Sequence, residues 1–280
     1  MARITSRQNA IVAQFKRVAR GEDAGLILLD GVHLVADALA SGVVVQHALV
    51  ESPHDIHSEV GRLARELDRR GVDLREAAPD VMAAASPVRS GSPIVALAAR
   101  PGSSGSALAG ASPLVVIACD VQDPGNLGAI TRVAEAAGAT GLVVAGQSAD
   151  PFGWKALRGS MGSALRLPIA TSATAAAAVA DARARGLTIA ATVPRSGVSM
   201  YDATLSVPLA LLVGGEGAGL ASAVIESADV RLSIPMTTPV ESLNAAVATA
   251  VLLYEARRQR TLRRRAPHEE PHARVAHARS

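Results

Sequence analysis

The chain has 280 residues, a formal net charge of +3 and a sequence pI near 9.6, long enough for two domains. Hydrophobic residues make up 49% of it and aromatics only 2%, so the core must be built mainly from Ala, Val, Leu and Ile. The single cysteine, Cys119, excludes an internal disulfide and a cysteine-based metal cluster. A basic start followed by an apolar stretch is missing, as is any run approaching the roughly 20 apolar residues of a membrane span, so a cytoplasmic protein is expected.

In chain order, residues 6–20 read as a helix with a basic face at Arg7, Lys16, Arg17 and Arg20. Residues 26–29 form a short strand closed by Asp30-Gly31, 32–40 a helix ended by Ser41-Gly42, and 43–50 another strand. Residues 56–70 are amphipathic, with Val60, Leu63, Ala64 and Leu67 at helical spacing, and Gly71 stops them. Residues 93–99 complete a compact α/β unit. Pro, Gly and Ser then dominate residues 101–113, a linker composition that sets the domain boundary.

Alternation resumes at residue 114. Strands are expected at 114–118, 142–145, 187–193, 209–213 and 230–234, with helices near 127–137, 151–161, 173–185 and 218–226. This order predicts a mainly parallel sheet covered by helices on both faces. A last helix is expected to run to about residue 260. Its apolar stripe is Leu243, Ala246, Val247, Ala250, Val251 and Tyr254, and its start is either a capping box at Thr238-Pro-Val-Glu241 or a cap at Ser242. Residues 261–280 read as a basic, disordered tail.

Chemistry is expected where loops leave strand ends, because ligands in open α/β sheets bind there. Three segments qualify. Asp123-Pro-Gly-Asn-Leu-Gly-Ala-Ile-Thr-Arg132 follows a strand and opens a helix, so Asn126 either caps that helix or meets a substrate, and Arg132 is either solvated or functional. Gly214-Gly-Glu-Gly-Ala-Gly219 matches neither a dinucleotide fingerprint nor a P-loop, and Glu216 amid the glycines would repel a phosphate. It suits a ligand with a positive centre, or is a plain glycine turn. Ile234-Pro-Met-Thr-Thr-Pro-Val-Glu-Ser-Leu-Asn244 joins a strand end to the final helix and carries Ser242 and Asn244.

Taken as an ordered set, DPGNLGAITR, GGEGAGL and IPMTTPVESLNAAVATAVLLYE resemble the three motifs of the SpoU (TrmH-like) branch of the SPOUT methyltransferases, over residues 114–260. Ser6-Arg-Gln-Asn9 and Leu28-Leu-Asp-Gly31 are similar, more weakly, to the L30e-like RNA-substrate-binding domain often fused before it. The resemblance implies an α/β fold with a trefoil knot and S-adenosylmethionine as cofactor. It implies that Gly214, Gly215, Glu216 and Gly217 line one side of the donor site and Ile234, Met236 and Leu243 the other. It further implies that Arg132 is the catalytic residue with Asn126, Glu216 and Asn244 as partners, and that the chain is a homodimer joined through the last helix. An arginine, always protonated, is an awkward base, so Arg132 is expected to bind phosphate or stabilise developing charge.

Lys155, Arg158 and Ser160 lie in a stretch that resembles the family's RNA-facing loop, and with Arg7, Lys16 and Arg17 are expected to form a phosphate track. Arg supplies nearly all the positive charge, which suits bidentate phosphate contacts, although a GC-rich genome gives the same bias. The activity implied is 2′-O-ribose methylation of structured RNA, foremost 23S ribosomal RNA. The alternatives are tRNA as substrate and a noncatalytic RNA-binding member of the fold. No Gly-x-Ser-x-Gly elbow supports a hydrolase, and no His spacing supports a zinc enzyme.

Overall fold

The computed structural model describes residues 3–88 and 91–265. Residues 3–99 build a five-stranded mixed sheet. Its elements are β1 (Arg3–Ile4), α1 (Ala10–Ala19), β2 (Leu26–Asp30), α2 (Val32–Ala40), β3 (Val45–Glu51), α3 (Glu59–Arg69), β4 (Asp73–Ala77), α4 (Pro79–Ala85) and β5 (Ile94–Ala99). The strand order is β1-β4-β3-β5-β2, with β5 antiparallel to both neighbours. Alternate residues of the strands face opposite ways. Leu28, Leu49, Val95 and Leu97 therefore pack with α1 and α4, while Leu29, Val50 and Ala96 pack with α2 and α3.

The second sheet is wholly parallel. It comprises β6 (Leu114–Cys119), α5 (Pro124–Ala137), β7 (Gly141–Ala145), α6 (Trp154–Ser160), β8 (Ile169–Ser172), α7 (Ala175–Ala184), β9 (Thr188–Thr192), β10 (Val198–Ser199), β11 (Leu209–Gly214), α8 (Ser222–Glu226), β12 (Val230–Ser233) and α9 (Ala245–Arg265). Val116 and Ala118 of β6 share a core with α5 and α9. Val115 and Ile117, one residue out of phase, pack toward α7, so both faces are covered.

The order β10-β12-β9-β11-β6-β7-β8 has one consequence for function. From β6 the chain moves outward to β7 on one side. From β11, the neighbour of β6, it moves past β9 to β12 on the other. The loops that leave the adjacent parallel strands β12, β9 and β11 at their carboxyl ends are thus neighbours, and a crevice lies among them.

Several expectations shift. The first helix begins at Ala10, because the Asn9 side chain caps it by accepting the Ile11 N–H at 3.0 Å. The strands β1, β4, β8 and β10 and the helix α4 carried too little periodicity in stretches of two to seven residues to be anticipated. The final helix uses neither expected cap: Asn244 Oδ1 accepts the N–H of Ala246 at 2.9 Å and of Val247 at 3.3 Å, and the helix continues to Arg265. Its buried stripe is also rotated. Ala246, Thr249, Leu252, Leu253 and Ala256 face the core, whereas Val247 and Tyr254 of the expected stripe are about half exposed, at 49% and 51%. Residues 101–113 run along the second sheet with Ala107 and Leu108 buried, and the Ser104 N–H donates to the Ile169 carbonyl at 2.7 Å. The tail expected beyond residue 265 lies outside the described residues.

The two sheets share one apolar cluster, which joins Leu34, Val35 and Ala38 of α2 to Leu157, Ala164 and Leu165 around α6. Ion pairs flank it. Arg166 bonds Asp37 at 3.1 Å and Glu135 at 2.8 Å, and Arg100 holds Asp150 in a two-pronged contact.

Candidate active site

A cavity of about 490 Å³ occupies the crevice. Three chain segments wall it, each leaving a strand of the second sheet: Thr192–Pro194 after β9, Gly214–Leu220 after β11, and Ile234 to Asn244 after β12, with Ala248 and Leu252 of α9 as its floor.

The β11 loop is shaped by absent side chains. A Cβ on Gly215 would sit 2.1 Å from the carbonyl oxygen of Asp120, so only glycine lets this loop lie against the one leaving β6. A similar crossing sets the helix that carries the first motif. A Cβ on Gly128 would come within 2.5 Å of the Ala156 carbonyl, and α5 and α6 touch there backbone to backbone.

The three motifs meet in one hydrogen-bonded chain. Asp123 caps α5 by accepting the Asn126 N–H at 2.7 Å, which places the Asn126 side chain at the mouth of the crevice. Its amide donates to Glu216 Oε1 and its carbonyl accepts from Asn244 Nδ2 at 2.9 Å. Asn244 in turn caps α9. Each motif therefore contributes one polar side chain. The capping reading of Asn126 fails, because Asp123 caps α5, whereas Asn244 both caps α9 through Oδ1 and reaches Asn126 through Nδ2.

Every residue expected on the donor site, Gly214, Gly215, Glu216, Gly217, Ile234, Met236 and Leu243, lines the cavity. Asn126 stands at its edge through Glu216 and Asn244. The segment Thr192–Pro194, Ala248 and Leu252 were not anticipated, and Ser242, expected in the third segment as a possible cap, lines the wall. The signal for the first was available, since Val193-Pro194 also follows a strand, but no motif marked it.

Arg132 lies six residues beyond Asn126 on α5, does not line the cavity, is exposed, and makes no side-chain hydrogen bond or ion pair with any described residue. One expectation needs correction. Ser160 is fully buried, with its hydroxyl donating to the Leu157 carbonyl at 2.9 Å inside α6, so it does not face a solvent-borne partner. Arg7, Lys16, Arg17, Lys155 and Arg158 are all exposed.

The lining limits what fits. Among the described residues Glu216 is the sole charged side chain on the cavity wall, so nothing there balances a phosphate. Apolar walls from Ile234, Met236 and Leu243 suit a flat ring, and free backbone groups of the glycine loop suit its polar edge. A carboxylate at the mouth suits a cationic centre. The volume falls within the ~300–1,000 Å³ of small-molecule sites. These features fit S-adenosylmethionine, which is cationic, carries no phosphate and ends in an adenine.

Comparison with known proteins agrees with this geometry. Residues 113–254 match the model of the SpoU rRNA Methylase family. A 23S rRNA (guanosine(2553)-2′-O)-methyltransferase, RlmP, of Bacillus subtilis is 32% identical over 260 residues, covering 92% of this chain and 100% of the relative. The crystal structure of the SpoU methyltransferase AviRb from Streptomyces viridochromogenes, in complex with the cofactor AdoMet, superposes with a TM-score of 0.79 at 32% identity, covering 91% and 99% of the two chains. An AdoMet-bound rRNA methyltransferase from Sinorhizobium meliloti gives 0.80 at 30% identity, with 91% and 97% covered. With its three motifs gathered at one crevice and its length matched almost end to end by such relatives, the chain belongs to the SpoU rRNA Methylase family.

Proposed function

We propose that the protein transfers a methyl group from S-adenosylmethionine to a ribose 2′-hydroxyl of 23S ribosomal RNA. The observation that carries this reading is the Asn126–Glu216–Asn244 chain at the mouth of a cavity with no cationic wall. Family membership and the relatives named for the same reaction support it.

The donor supplies a methyl group activated by a positive sulfur. The protein's part is position and charge. The glycine loop and Ile234, Met236 and Leu243 would hold the donor, and Glu216, held by Asn126, would set a negative charge beside its cationic centre. The bound donor would supply the methyl group to the ribose oxygen, the O–CH3 bond forming as the S–CH3 bond breaks, with the hydroxyl proton released to solvent at the exposed mouth. Arg132, exposed and unpaired among the described residues, is free to hold an RNA phosphate or offset charge growing on the attacking oxygen.

In this reading residues 1–100 form an L30e-like RNA-binding unit, and the loops around α9 form the family's knot. Val247 and Tyr254 on the outer face of α9 meet a second copy, and the protein works in the cytoplasm. No helix among the described residues is long and apolar enough to cross a membrane. The test is incubation with methyl-labelled donor and, separately, 23S rRNA and tRNA, followed by alkaline hydrolysis and mapping. A single alkali-resistant linkage in 23S rRNA is expected. Label on a base, or on tRNA alone, would refute the assignment.

A further inference from the structure

A second cavity, of about 350 Å³, lies at the seam between the two sheets. Its walls come from the end of α1 (Val18, Ala19), from Arg100 where the first sheet ends, and from the approach to α6 (Asp150, Phe152, Trp154). Arg100 bonds Asp150 at 2.8 and 2.6 Å and lies over the Phe152 ring, 5.1 Å from its centre. Trp154 is half-buried, and the Lys155 ammonium sits 5.5 Å from the centre of its ring. Around this aromatic wall the surface is basic, with Lys16 and Arg17 exposed on α1 and Lys155 and Arg158 exposed on α6.

The charges have an order. Inside are the carboxylates Asp23 and Asp150 with the Arg100 guanidinium that pairs with Asp150, a net negative interior in which Asp23 Oδ2, without a partner among the described residues, can accept from ring and exocyclic N–H groups. Outside are cations with no carboxylate partner among the described residues. A nucleotide has the reverse polarity, with N–H donors on the base and negative charge on the backbone. We propose that this seam cavity receives an unstacked nucleobase of the RNA substrate, stacked on Trp154, with its flanking phosphates on Lys16, Arg17 and Lys155. Bases splayed from single-stranded or looped RNA are held this way, because every base has a π face. Both sheets contribute walls, so the base would be read only when the two are docked. This inference rests on the reading of RNA as substrate.

Trp154 is the sole tryptophan, so its emission reports this cavity alone. A mixed-sequence single-stranded octaribonucleotide is expected to quench it, and an abasic ribose-phosphate octamer of the same charge is not. Trp154→Leu, which keeps an apolar side chain against α1, should weaken octamer binding about tenfold, while Trp154→Phe restores most of it. S-adenosylmethionine affinity should be unchanged in both, and equal melting temperatures verify the fold. Equal quenching by the abasic chain, or wild-type RNA affinity in Trp154→Leu, overturns the proposal. Methyl transfer by the wild-type protein, measured alongside, separates the two readings. Transfer without quenching sinks the seam site alone, and absence of transfer to any RNA sinks the functional reading.

Discussion

The donor cavity and the seam cavity differ in what holds their walls together. At the ends of β6 and β11 the walls are backbone against backbone, as where Gly215 meets Asp120, and the one polar chain across the mouth runs through two side-chain amides and a carboxylate. Across the seam run the ion pairs Arg100–Asp150, in the cavity wall, and Arg166–Asp37, both partly exposed, beside a shared apolar cluster. Close-packed backbone resists salt and pH, whereas exposed ion pairs yield to both. On the two proposals made above, chemistry would sit in the stiff region and substrate selection in the compliant one.

The largest effect that would sharpen this contrast comes from Arg132. Replacement by Ala should cut turnover about 10²–10³-fold, about 3–4 kcal/mol in the transition state. Donor affinity should stay unchanged, because Arg132 is off the cavity wall. Single-turnover kinetics with calorimetry separates the two, and near-normal turnover in both Arg132→Ala and Arg132→Lys would remove it from the mechanism. Next is Gly215→Ala, whose methyl must displace the Asp120 backbone. A cost of about 3 kcal/mol in stability is expected, read by denaturant unfolding, together with loss of donor binding. Asn126→Ala is smaller: it removes a hydrogen bond to a carboxylate, about 1.5 kcal/mol, so donor affinity should fall about tenfold.

The smallest effect lies at the seam. Arg166→Ala should cost under about 1 kcal/mol, because its partners are 30–34% exposed. That cost should depend on pH. The Arg166 hydrogen bond holds the Glu135 carboxyl below its ordinary value near 4.5, against an opposing push from burial. A depressed folded-state value gives stability that is present above that ordinary value and lost as pH falls through the lowered one. The gap between wild type and variant should thus be full at neutral pH and close in acid, as followed by thermal melting. A gap that is flat with pH would show that the Arg166–Glu135 pair, which lies within the second sheet's unit, does not carry that cost.

The same division explains what the sequence reveals. The cavity's lining was legible because each motif keeps its glycines and polar residues within a dozen consecutive positions just past a strand, and two of those strands, β6 and β11, are wholly buried apolar runs. The parallel sheet was legible because β6, β7 and β11 are near-continuous apolar runs. The seam was not. Arg166 meets Asp37 across more than a hundred residues, and no local pattern marks either one. Ser160 looked exposed in a basic stretch, yet the close crossing of α5 and α6 at Gly128 buries it. The stripe on α9 misled for a related reason. Apolar spacing shows that a face is covered but not by what, and Val247 and Tyr254 point away from their own chain's core.

The central claim, that the glycine-loop crevice is the donor site, is tested most directly by titrating S-adenosylmethionine into the wild-type protein and into Leu243→Arg, which places a bulky cation on an exposed part of the apolar wall, against a cationic ligand. One donor bound per wild-type chain, with affinity collapsing in a variant that melts normally, is the predicted result. Undiminished binding by Leu243→Arg, or no binding by the wild type, would contradict it.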